Sequence, residues 1–541
     1  SFQQKVNSLS GNVHDTFSSR MPSGGTIHIE EIQDQVELAL MRSEELKVAR
    51  AYVLYRAERT KIRQEESSTV QHTSNLSPSE RTDAIAKEAC AGLSGTDPET
   101  IINEANKNLY EGASEEEIKE ALILSSRSLV EAEPNYTYAT SRILLDGLRT
   151  EALSFLEIAP NATHEEMEKL YPKTLDAYIN KAIALELINP ELGKMDLKKL
   201  GKNLKPERDL MFSYLGLQTL YDRYFIHKDE TRFELPQIFF MRVAMGLAIG
   251  EEKREDRAIE FYNLLSSFDY MSSTPTLFNS GTIHSQLSSC YLTTVPDDLK
   301  GIYDALGDNA MLSKWAGGLG NDWTPVRGMG AHIKGTNGKS QGVVPFLKVV
   351  NDTAVAVNQG GKRKGAVCSY LETWHLDIEE FVELRKNTGD DRRRTHDMNT
   401  ANWIPDLFMQ RVMNGEKWTL FTPNETPDLH DLTGTAFKAR YEEYEKGAKE
   451  GKIQVFKEVE AEELWRKIIS MLFETGHPWI TFKDACNLRS PQQHVGVIHS
   501  SNLCTEITLN TSQDEIAVCN LGSINLPNHL DKSGNLNEKK V

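Results

Sequence analysis

Cysteine is scarce, with six residues in 541 and no zinc-like spacing among them. That excludes a disulfide scaffold and leads us to expect a reducing, cytoplasmic setting, in which any disulfide would be catalytic. Long hydrophobic runs are also lacking. The most apolar stretch, Ile238 to Ile249, covers about twelve residues, carries Arg242 and is too short to cross a bilayer. The opening residues do not read as a signal peptide. Positive charge is in deficit, 61 Lys and Arg against 79 Asp and Glu for a net charge of −18. A general nucleic-acid binder needs a basic face for phosphates, so that class is excluded, although local nucleotide binding is not.

What is present is enough apolar material for several cores. With 39% hydrophobic residues over 541 positions, three or four domains are expected. In residues 1–62, Ile29, Ile32, Val36 and Leu40 recur at helical steps, and Val48, Tyr52 and Tyr55 form a second stripe. Residues 63–80 are polar and serine-rich, a linker. Residues 81–155 repeat the helical theme. There Ser114-Glu115-Glu116-Glu117 forms a capping box opening a helix with Ile118, Ala121, Leu122 and Ser125 on one face. The segment from Tyr136 to Leu145 resembles that from Val48 to Tyr55, an internal repeat. Residues 156–284 continue as helices, with Phe212 to Gly216 and Gln237 to Met241 as buried faces. From about residue 285, short apolar strands alternate with glycine loops and helices such as Val343 to Ala356 and His375 to Leu384. That alternation implies an α/β fold with parallel strands covered by helices.

The chemistry-bearing stretch is Ser501-Asn502-Leu503-Cys504-Thr505-Glu506. If extended, it would project Asn502, Cys504 and Glu506 to one side, toward one cavity. A carboxylate beside a thiol raises the thiol's pKa, which disfavours an ordinary thiolate nucleophile. The pairing suits a sulfur reacting as a neutral one-electron species while the carboxylate moves a proton. Cys519 follows in Ile516-Ala517-Val518-Cys519, which reads as a strand, and Cys290 lies far upstream in Ser288-Ser289-Cys290-Tyr291-Leu292.

These three segments together resemble the large, catalytic subunit of class I ribonucleoside-diphosphate reductase, over most of the chain. The resemblance implies helical ATP-cone-like modules, a helical region, then the first half of a ten-stranded α/β barrel with a finger loop threading its centre (residues 285–541). Residues 1–62 resemble the helical back half of an ATP-cone without its lysine-arginine-aspartate-glycine hairpin, and residues 81–155 a second, degenerate cone. The polar run from Asp531 to Val541, together with Ser1 at the start, leads us to expect a fragment or one half of a split protein, with the C-terminal half of the barrel as a partner.

The resemblance also implies roles. Cys504 would carry the thiyl radical and take the 3′ hydrogen of the ribose. Glu506 would accept the 3′-hydroxyl proton, and Asn502 would hold that hydroxyl. Cys290 and Cys519 would reduce C2′ and end as a disulfide. Substrate contacts are expected from Thr276, Ser289 and Gly318, and base reading from Gln359 and Arg363. Effector contacts are expected from Asp297, Asp298, Leu299, Arg327 and Lys334, and two glycine-rich stretches, residues 314–330 and 358–365, match the loops of the specificity site. The chain would bind no metal or cofactor itself. It would answer to ATP and dNTP effectors and receive its radical from a metal-containing small subunit. A homodimer, thioredoxin or glutaredoxin as reductant, and nucleoside diphosphates as substrates complete the implied partners. Trp374-His375-Leu376-Asp377 is read as structural, and Cys90, Cys368 and Cys486 as packing residues. Two other readings remain open: an adenosylcobalamin-dependent relative, and a nucleotide-binding regulatory fragment without chemistry.

Overall fold

The computed structural model describes residues 78–541 apart from 111–112, 316 and 360–362, with only isolated positions before residue 78. The first module (residues 1–62) and nearly all of the expected linker therefore lie outside the described residues. The linker ends slightly earlier than expected, because helix α1 already begins at Pro78. The chain divides into two units, residues 1–75 and 76–541, and the second contains all of the elements that follow.

Its first part is a bundle of α1 (Pro78–Cys90), α2 (Pro98–Asn106), α3 (Glu115–Ser128) and α4 (Tyr136–Phe155). The capping box forms as the sequence predicts, Ser114 Oγ accepting from the Glu117 amide while the Glu117 carboxylate accepts from the Ser114 amide. Two orphan amides are thereby satisfied and the start of α3 is fixed. The face behind it, Ile118, Ala121, Leu122 and Ser125, is buried. Helices α5 (Met167–Ala184), α6 (Tyr214–Arg223), α7 (Pro236–Ala248) and α8 (Arg254–Ser266) follow around a second core. Gln237 to Met241 are buried there as expected, whereas Leu215 is 75% exposed, so only part of the Phe212–Gly216 segment faces inward. Arg242 explains how an arginine sits inside the most apolar helix. Its guanidinium is fully buried against Glu234 at 2.8 Å and also donates to the Ser280 carbonyl at 2.7 Å. No helix among the described residues is long and apolar enough to cross a membrane.

After the short helix α9 (Thr274–Asn279) the α/β part begins. Six strands form one sheet: β1 (Cys290–Thr294), β2 (Gly318–Asp322), β3 (Val367–Glu372), β4 (Asn399–Ile404), β5 (Trp479–Phe482) and β6 (Ala517–Cys519). The order is β5-β4-β3-β2-β1-β6. Strands β1 to β5 are parallel, and helices α10 (Leu299–Lys314) and α11 (Val344–Ala356) lie in the β1–β2 and β2–β3 connections. Burial on both faces accounts for β3, in which all six residues are inside. The expectation of parallel strands fails at β6, which pairs antiparallel with β1 because the chain returns through the 499–516 segment. The helix expected over His375–Leu384 shrinks to Ile378–Phe381. His375 is spent as a brace there, its Nε2 on the Val326 carbonyl at 2.8 Å and its Nδ1 accepting from the Asp377 amide at 3.1 Å.

Candidate active site

The register of β6 on β1 places Cys519 directly opposite Cys290. Opposed residues of an antiparallel pair have Cα atoms about 4.5–5.5 Å apart, inside the range a disulfide spans. Both thiols are free, and each bears on the other's protonation. Burial pushes the Cys290 thiol up to about 12, and burial also raises Cys519. Both thiols are therefore protonated at neutral pH.

Asn502, Cys504 and Glu506 converge, but not by strand alternation. Residues 503–505 form a turn, and Thr505 adopts φ +70°. The turn is stitched by the buried Asn502 side chain, whose Oδ1 accepts from the amides of Glu506 and Ile507, both at 3.1 Å. Asn502 Nδ2 then faces Glu506 Oε1 at 2.9 Å and Cys290 Sγ at 3.1 Å. One amide thus joins the carboxylate to the thiol pair. Cys504, at the tip, is exposed, its thiol pKa raised first by partial burial and then by the Glu506 carboxylate and Cys290.

The turn is held on the sheet by residues that the sequence reading did not single out. Tyr370, on β3, donates its hydroxyl to the Asn502 carbonyl at 2.6 Å. Gly320, on β2, lies so close to the loop that a Cβ there would sit 2.0 Å from the Ser501 carbonyl oxygen. The Gly318-Leu319-Gly320 spacing was the available signal for this approach; Tyr370, in an apolar strand, offered none. Gly320→Ala should cost about 1–3 kcal/mol and expose residues 503–507 to proteolysis. An unchanged melting temperature and digestion pattern would contradict this close packing. Cys368, assigned to packing, is fully buried in β3.

The expected substrate residues gather at the foot of β1. Thr276 Oγ1 donates to the Leu287 carbonyl at 3.2 Å, and the Ser289 hydroxyl is bonded to that of Ser273. The Gly318 amide donates to the Ser289 carbonyl at 2.8 Å. Gln359 and Arg363 are register partners in a two-stranded hairpin, their side chains lying outside the described residues. Of the expected effector residues, Asp297 and Arg327 are in direct contact, with Arg327 Nε 3.0 and 3.1 Å from the two carboxylate oxygens. Asp298 caps α10 by accepting from the Gly301 amide at 2.9 Å, and Leu299 begins that helix, exposed. Lys334 is exposed, just past the strand Met329–Ile333.

Comparison with known proteins bears on the chain as a whole. A family model described as the ribonucleotide reductase barrel domain matches residues 288–541, the reductase all-alpha domain matches 210–285, and an ATP cone domain matches 2–61. The ribonucleoside-diphosphate reductase subunit alpha of Chlamydia muridarum is 51% identical over 560 residues, covering 100% of this chain and 53% of that protein. The Helicobacter pylori (strain J99) protein of the same name is 42% identical over 430 residues, covering 79% of this chain and 52% of its own. The ribonucleoside-diphosphate reductase large subunit of Arabidopsis thaliana is 38% identical over 463 residues, covering 83% and 54%. The chain spans about half the length of the curated relatives it matches. With two reductase domain models and an ATP cone laid end to end along it, the chain belongs to the ribonucleotide reductase large-subunit family.

Proposed function

We propose that this chain supplies the radical cysteine, the reducing thiol pair and the proton-moving carboxylate for reduction of ribonucleoside diphosphates to 2′-deoxyribonucleoside diphosphates. The observation that carries the reading is the single polar path from Glu506 through Asn502 to Cys290, with Cys519 opposite. A thiyl radical on Cys504 abstracts the 3′ hydrogen, and Glu506 takes the 3′-hydroxyl proton. Loss of water from C2′ then needs a proton donor and two reducing equivalents. Two protonated, adjacent thiols provide both and become one disulfide. Thioredoxin or glutaredoxin reduces that disulfide, and the radical arrives from a metal-containing small subunit. The assembly works in the cytoplasm as a homodimer of large subunits. The test is an assay of the chain with the remaining barrel strands, the small subunit and a dithiol. Conversion of ribonucleoside to deoxyribonucleoside diphosphate is expected, and its absence from a fully loaded assembly would contradict the reading.

Effector control belongs, in the same reading, to the loops around α10. The Asp297–Arg327 pair sits at one end of the helix, and α10 packs against the hairpin strand Asn358–Gln359. An effector displacing Asp297 from Arg327 would therefore act on the hairpin that reads the base, linking effector identity to substrate choice. The bundle of α1 to α4 acts as a second, degenerate cone whose role is packing. Arg327→Ala should abolish dTTP binding while deletion of residues 1–155 leaves it intact; equilibrium dialysis giving the opposite pattern would overturn this assignment.

A further inference from the structure

Behind the finger loop lies a second cluster that the reduction chemistry does not use. Asp322 ends β2, His430 sits in a single 3₁₀ turn at Leu429–Asp431, and His499 stands two residues before Ser501 at the base of the loop. All three are buried, and one ligand-type atom from each lies within 4.8 Å of the others. His430 Nε2 is 2.6 Å from Asp322 Oδ2, and the two imidazole rings stack with centroids 3.7 Å apart and planes at 12°. Asp431 closes the open side, its Oδ1 being 3.1 Å from His499 Nε2 and 3.7 Å from His430 Nδ1. Its side chain is 69% exposed and marks a route inward.

Two observations separate this cluster from an ordinary hydrogen-bond network. His499 is only 5% exposed, yet its Nδ1 has no hydrogen-bond partner, a costly arrangement for a buried ring nitrogen. Asp322, His430 and His499 also present ligand atoms close enough together to share one ion, with the Asp431 carboxylate beside both rings. A divalent cation bound there would be balanced by the two carboxylates, with both imidazoles as deprotonated ligands.

We propose that Asp322, His430 and His499, with Asp431 at the mouth, form a binding site for a first-row divalent cation that pins the base of the finger loop to the sheet. Two imidazoles and carboxylate oxygens are a donor set that zinc accepts. Ligand atoms around tetrahedral zinc stand about 3.3 Å apart, so binding would spread the His430–Asp322 contact by less than an ångström. The ion would tether three separate parts of the chain: the end of β2, the 3₁₀ turn and the segment leading to Asn502.

The test uses the full chain with Zn²⁺ or Co²⁺ alone. Calorimetric titration should show one saturable site per chain, with a melting temperature that rises on zinc and returns with a chelator. The Co²⁺ form should show visible d–d absorption without thiolate charge transfer, because no cysteine is a ligand. His430→Gln and His499→Gln should each weaken binding at least ~100-fold. X-ray absorption of the unaltered zinc-loaded chain decides the matter should either variant fail to fold. Two imidazoles with oxygen and no sulfur are expected. Absent one-to-one binding, sulfur ligation, or wild-type affinity in a folded histidine variant would each overturn the site.

Discussion

Cys504→Ser, in an assembly otherwise complete for nucleotide reduction, is expected to make no deoxynucleotide. The substitution removes little packing, because Cys504 is exposed at the tip of the turn. The folded scaffold, the Asn502–Glu506 contact and the opposed thiol pair should all persist. What disappears is the sulfur's ability to exchange a hydrogen atom with carbon. A serine O–H bond is much stronger than an S–H bond or the ribose C3′–H bond, so an oxygen-centred radical would neither form from the small subunit's radical nor be regenerated after product forms. Binding of substrate and effector should be unchanged, so a loss of turnover with normal nucleotide affinity isolates the chemical step. Turnover surviving in Cys504→Ser with every component present would remove Cys504 from the mechanism.

Lys483→Met carries the largest expected effect on stability. Both Lys483 and Glu372 are fully buried, with Nζ 2.8 and 3.0 Å from the two carboxylate oxygens. The same ammonium donates to the carbonyls of Leu429 at 3.1 Å and His430 at 2.9 Å, fastening the 3₁₀ turn beneath the sheet. Methionine fills similar volume but leaves the Glu372 carboxylate uncompensated in an apolar setting. Trp374 Nε1 at 2.6 Å is then its main remaining side-chain partner. Removing one member of a buried pair costs about 3–5 kcal/mol, whereas replacing both is close to neutral. Lys483→Met should therefore lower the calorimetric melting temperature sharply, and adding Glu372→Gln should recover most of the loss. A Lys483→Met protein as stable as the parent, or a double variant worse than the single one, would contradict the pairing.

The readable and unreadable parts of this molecule differ for physical reasons. The Ser114 capping box was legible because it is written within four consecutive residues and needs no distant partner. Cys290, Cys519 and Cys504 stood out because cysteine is rare in the chain, and the Asn-x-Cys-x-Glu spacing survives whether the segment is extended or turned. Its actual conformation was not legible. The left-handed φ at Thr505 and the Asn502 side chain bonding to Glu506 and Ile507 decide the turn, and neither leaves a propensity signal. The antiparallel docking of β6 is likewise set by a long return of the chain rather than by the strand itself. Asp322, His430 and His499 were invisible because 108 residues separate the first two along the chain. His375, read as structural, has both ring nitrogens on backbone groups, the Val326 carbonyl and the Asp377 amide.

The proposed reduction requires Cys290 and Cys519 to be the electron donors, and peptide mapping by mass spectrometry after turnover without external reductant tests that most directly. The complete assembly is supplied with substrate and effector, quenched in acid with free thiols capped, and digested. The geometry of β1 and β6 predicts one Cys290–Cys519 disulfide per deoxynucleotide formed, with Cys504 recovered as a capped thiol. A disulfide containing Cys504, or product formed while Cys290 and Cys519 both remain thiols, would contradict it.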